Sequence, residues 1–141
     1  MSQGAPPREA LRFLRVLVAG AVLVFGLGTA GSNLLPLLAS DAARAGLGAI
    51  PYPLFWFHLG MGCLYLAAGM GIGRQRRWAP PMAWALAALH ALSASVLWLW
   101  FFAGHPVEPR VLIMELLREG FWVLIGLYLW RAALPAAPHP R

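Results

Sequence analysis

The amino-acid sequence predicts an all-α integral membrane protein, a four-helix bundle with both ends on the cytoplasmic side. Three observations carry this. Hydrophobic residues make up 60% of the 141 and charged residues only 11%, whereas a soluble domain has about 45–50% apolar and about 25% charged residues. So small a chain has too much surface for its volume to hide that imbalance from water. The apolar residues fall into four runs, each near the ~20 residues that cross a bilayer. Arginines collect at alternate ends of those runs, which fixes a direction.

The first span covers residues 11–38, with Asn33 and Pro36 near its far end. The second, residues 53–73, opens on Tyr52-Pro53, where proline suits a first helical turn. The third starts at Pro80-Pro81 and covers 80–103; the fourth, 111–130, is stopped by Arg131 and Pro135. Strands are excluded because the runs are long and rich in Ala, Leu and Gly, and an open sheet edge cannot survive in lipid. The tails, residues 1–7 and 135–141, read as disordered, and the chain as one transmembrane domain.

The N-terminal flank carries Arg8, Arg12 and Arg15 against Glu9, the second-to-third loop carries Arg74, Arg76 and Arg77, and the C-terminal flank carries Arg131 and Arg141. The other two loops balance Asp41 against Arg44 and Glu108 against Arg110. Positive flanks stay in the cytoplasm, so the orientation is N-in, C-in. Trp56, Trp78, Trp98, Trp100 and Trp130 lie near span ends, as an aromatic belt requires. A cleaved signal peptide is a poorer reading of the start, because the charged leader is long and the apolar stretch too extended. All eleven basic residues are arginine, and the Ala-, Gly- and Leu-rich usage points to a GC-rich bacterial genome. The expected location is therefore the bacterial inner membrane.

The net charge of +6 does not imply nucleic acid, since the arginines flank spans and form no patch. The single Cys63 excludes an internal disulfide and a cysteine metal cluster. Gly26-Leu-Gly28-Thr-Ala-Gly31 matches a dinucleotide fingerprint only on paper: it lies inside an apolar span with no strand before it. It reads instead as a glycine-rich face for close helix packing. The four-span layout is similar in outline to that of the DoxX-like membrane proteins, but no residue motif carries over and no family follows from it.

Ionisable groups inside spans are costly and mark candidate sites. Glu115, Arg118 and Glu119 share one face of the fourth helix with Trp122 and Gly126, while Ile113, Leu117, Leu124 and Tyr128 take the other. Matching stripes are His58, Met61, Gly62, Tyr65 and Gly69 on the second span, His90 with Ala83, Ala87, Ser93 and Ala94 on the third, and Gly26, Thr29, Ala30 and Asn33 on the first. A rise of about 1.5 Å per residue, counted from the outer ends, puts His58 and Glu115 roughly 7–8 Å deep, Glu119 roughly 13 Å and His90 roughly 19 Å. The expected picture is an outer layer of Asn33, His58 and Glu115 above a deeper layer of Arg118, Glu119 and His90.

Several chemistries suit such a cluster. It can be a structural network, with Arg118 on Glu115 and Glu119 on His90, that fixes helix register. It can bind a small ligand or relay protons from the outer side, since histidine titrates near neutrality. Haem between His58 and His90 is disfavoured by about 12 Å of depth, and a di-metal site lacks its Glu-x-x-His pairs. A mononuclear site from His58, Glu115 and Asn33 is unspecific. No nucleophile-and-base motif for catalysis is present. The sequence therefore predicts a non-enzymatic accessory or complex subunit, with no metal ligands and no cofactor assigned. Its candidate site is Glu115, Arg118, Glu119, His90, His58, Asn33 and Tyr65. The expected partners are the bilayer and a further membrane protein or second copy, not nucleic acid. The alternative is an intramembrane enzyme or a redox or metal-binding component using the same groups.

Overall fold

In the computed structural model, which describes residues 8–133, the chain forms α1 (Arg8–Leu38), a short α2 (Asp41–Ala45), α3 (Tyr52–Gly73), α4 (Ala79–Phe102) and α5 (Pro109–Ala133). No strand occurs among the described residues. The two tails expected to be disordered lie outside them. The four long helices match the four apolar runs to within two or three residues at each end. The difference is α2, which the first connection hides: Ser40 caps it by accepting the Ala43 amide at 3.3 Å.

Three helices are long and apolar enough to cross a membrane: Glu9–Leu38, Tyr52–Gly73 and Ala79–Phe102. The helix α5 has the length, with 25 residues, but Glu115, Arg118 and Glu119 lower its apolar content. The expected fourth crossing thus rests on where those groups point, not on composition. The outward surfaces are greasy. Phe13, Val16, Val24, Leu92, Leu99 and Leu124 are among many large apolar side chains left exposed, an arrangement that suits a membrane protein.

The helix α1 packs along α3, α4 packs along α5, and α3 meets α4 over a narrower strip. Side chains from all four long helices share one core, with Val22, Tyr65, Leu86 and Trp122 at its centre. Close approach of α1 and α3 depends on small residues. A Cβ added at Gly62 would come within 2.7–2.9 Å of Ala30, and one at Gly26 within 3.0 Å of Tyr65. Gly28 and Gly31 have nothing within 4 Å, so of the three fingerprint glycines only Gly26 serves packing.

Loop contacts fix the end of the bundle that carries α2 and the turn between α4 and α5. Arg44 donates to the Pro36 and Ala39 carbonyls at 3.2 and 2.7 Å, satisfying acceptors that the end of α1 leaves open. The Glu108 amide donates to the Ala49 carbonyl at 3.1 Å, and Arg110 donates to the Leu47 carbonyl. Gly48 sits between them at φ +86, where the Glu108 side chain fills the space a Cβ would need.

Candidate functional site

The polar stripes of α3, α4 and α5 meet at one carboxylate. Glu115 is fully buried, 0% exposed, as is His90, and His58 is 3% exposed. His90 Nδ1 lies 3.0 Å from Glu115 Oε2, and His58 Nε2 contacts Glu115 Oε1. Arg118, one turn along α5, donates to Oε1 from Nη1 at 3.2 Å. On its far side His90 meets the Tyr65 hydroxyl through Nε2. The imidazoles of His58 and His90 stack with centroids 6.1 Å apart and planes 16° from parallel. Phe57 closes over both edge-on, at 5.3 and 6.0 Å.

Local sequence explains how this is held. His58, Met61, Gly62, Tyr65 and Gly69 are all buried, so the α3 stripe faces inward as its spacing requires. On α4, Ala83, Ala87 and Ala94 are buried around His90, and their small size lets α5 approach. On α5, Glu115 and Trp122 are fully buried whereas Ile113, Leu117 and Leu124 are 58–67% exposed. That division is what a lipid-facing and a bundle-facing side require.

The two-layer picture does not hold. His90 belongs with His58 and Glu115, not a layer below them. The depth count assumed that the outer ends of the helices are level. They are not: Leu97 of α4 packs in one cluster with Leu54 of α3 and Val111 of α5, so α4 projects more than a turn beyond that level. Measured from this shared plane, His58 and Glu115 are each four residues down, roughly 6 Å, and His90 seven, roughly 10–11 Å. Glu119, eight residues down or roughly 12 Å, is no farther from His90 in height than Glu115 is, so it is the contact at 3.0 Å that assigns His90 to Glu115.

Two predicted members stand apart. Glu119 is half-buried and has no hydrogen bond or ion pair among the described residues; the His90 partner is Glu115 instead. Asn33 is buried and donates to the Thr29 carbonyl at 2.7 Å. It lines, with His58, Arg118 and Arg110, a cleft of about 160 Å³ leading to the cluster. Arg110 was read from sequence only as a loop charge. The signal for it was present, since Arg110, Met114 and Arg118 recur every four residues and so share one face of α5.

Chemically, the arrangement offers two imidazole nitrogens and a carboxylate oxygen, one from each of three helices, all within 4.8 Å of one another. Comparisons of the chain with protein-family models, curated proteins and solved structures give no match.

Proposed function

We propose that this chain is an inner-membrane protein crossing the bilayer four times, both ends cytoplasmic, and that it works through a divalent transition-metal ion held by His58, His90 and Glu115. The fourth crossing is supported by α5 lying along α4 with Glu115 turned wholly inward and an apolar outer face. The arginine-rich flanks support the direction.

One observation carries the metal reading: three buried ligand-type atoms from three separate helices converge within 4.8 Å. An N₂O donor set suits Zn²⁺, Fe²⁺, Mn²⁺ or Co²⁺. The surroundings are those that orient ligands. Tyr65 holds the far nitrogen of His90, and Arg118 holds one oxygen of Glu115. Three protein ligands leave coordination positions open, the mark of a centre that binds or activates a small molecule.

A second reading has its own support. Glu115 already meets His58, His90 and Arg118, which suits a network that only locks helix register in an accessory subunit. Metal analysis of the full chain, purified in mild detergent, separates the two. The metal reading expects about one bound ion per chain, and a Co²⁺ absorption spectrum on reconstitution of the metal-free protein. His58→Ala and His90→Ala should each abolish that spectrum while helical circular dichroism is retained. Folded wild-type protein that takes up neither Zn²⁺ nor Co²⁺ overturns it and leaves the register reading.

A further inference from the structure

Beside the buried cluster, the cleft between α1, α3 and the first turns of α5 has a chemistry of its own. Its polar lining is Ser32, Asn33, His58, Arg110 and Arg118, and no acidic residue lines it. Leu54, Phe55 and Met114 supply apolar walls. Arg118 is mostly buried, at 13% side-chain exposure. It gives Nη1 to Glu115, but its Nε is buried with no hydrogen-bond partner. A buried donor left unpaired costs about 1–3 kcal/mol, and the cleft is the open space beside this side chain. Arg110 donates to the Leu47 carbonyl and has no acidic partner among the described residues.

The charge balance narrows the occupant. In the metal-free protein Glu115 compensates Arg118, and Arg110, which forms no ion pair with Glu108 two residues before it, leaves one positive charge at the cleft. The start of α5 adds its positive helix end on the same side. One negative charge therefore completes the balance, and in a low-dielectric setting a dianion overshoots it. Guanidinium groups match the planar fork of a carboxylate better than a spherical ion. The volume, about 160 Å³, equals roughly five waters, enough for a carboxylate with a short tail against Leu54, Phe55 and Met114.

We infer that this cleft binds a small aliphatic monocarboxylate, its carboxylate held by Arg110 and Arg118 and its tail against the apolar wall. The site stands on the cleft alone and does not need the metal. It extends the metal reading by placing a small anion next to His58.

The test is calorimetric titration of the detergent-solubilised full chain with butyrate, and with sulfate as the dianion, at constant ionic strength. It is run on protein as purified and after chelator treatment, so that loss of the metal reading is seen separately. Saturable butyrate binding in both preparations is expected, with sulfate weaker in the chelator-treated one. Arg110→Gln, at the exposed rim, should weaken butyrate by about tenfold or more, and Arg118→Gln likewise where it folds. Arg74→Gln, beyond the opposite end of α3, should match wild type. No saturable butyrate binding by folded wild-type protein, unchanged binding in Arg110→Gln, or tighter binding of sulfate than of butyrate by chelator-treated protein overturns the inference.

Discussion

Replacing Glu115 by glutamine tests the energetics of the buried cluster directly. The substitution keeps shape and volume but removes the charge that faces Arg118 at 3.2 Å. Breaking a buried pair by removing one partner costs about 3–5 kcal/mol, because the other charge is left uncompensated. Arg118 keeps a small window on the cleft, with 13% of its side chain exposed, so solvent recovers part of that and about 2–4 kcal/mol remains. At about 4 °C per kcal/mol for a chain of this size, the midpoint of thermal unfolding should fall by roughly 8–16 °C. The measurement belongs on chelator-treated protein, so that a bound ion does not enter the comparison. The double variant Glu115→Gln/Arg118→Met removes the stranded charge as well and should regain most of the loss, as replacing a whole buried pair by apolar groups often does. Glu119→Gln is the control: half-buried and without an ion pair, it should stay within about 0.5 kcal/mol of wild type. If the double variant is no more stable than Glu115→Gln, the uncompensated-charge argument is wrong.

Two further expectations follow from other parts of the molecule. Gly60→Ala and Gly62→Ala are the same change on the same helix, so their helix-propensity terms cancel. A Cβ at Gly60 meets nothing within 4 Å, whereas one at Gly62 comes within 2.7–2.9 Å of Ala30; Gly62→Ala should be the less stable by about 1–3 kcal/mol, and equal midpoints would show that α1 and α3 are not in close contact there. For topology, Gln75→Cys and His105→Cys in a Cys63→Ala background place single thiols in the two turns that flank α4. A membrane-impermeant maleimide added to intact cells should label position 105 and spare position 75, and labelling of position 75 alone reverses the proposed orientation.

What the sequence made legible was rotation, and what it obscured was axial position. At about 100° per residue, a helix reports which side chains share a face from its own residues alone. Hence the buried stripes containing His58, His90 and Glu115 could be read without any neighbour, and so could the exposed row of Ile113, Leu117 and Leu124. Height is a relation between helices, and it is set by contacts that leave no period in the sequence. One such contact is Val107, in the loop that follows α4, which packs with Leu54, Leu97 and Val111. Counted from that cluster, Glu119 is no farther from His90 in height than Glu115 is, so it is the contact at 3.0 Å that assigns His90 to Glu115, and Glu119 makes no hydrogen bond or ion pair among the described residues. The same distinction explains Arg110. Its face is readable from Arg110, Met114 and Arg118, but its place at the cleft depends on its bond to the Leu47 carbonyl across the loops. An intramembrane site is therefore best sought by reading faces first, then asking which loop residues are apolar enough to set the heights. In this chain Val107 belongs to the cluster that ties α3, α4 and α5 together at one end, and the carboxylate that meets both histidines is Glu115.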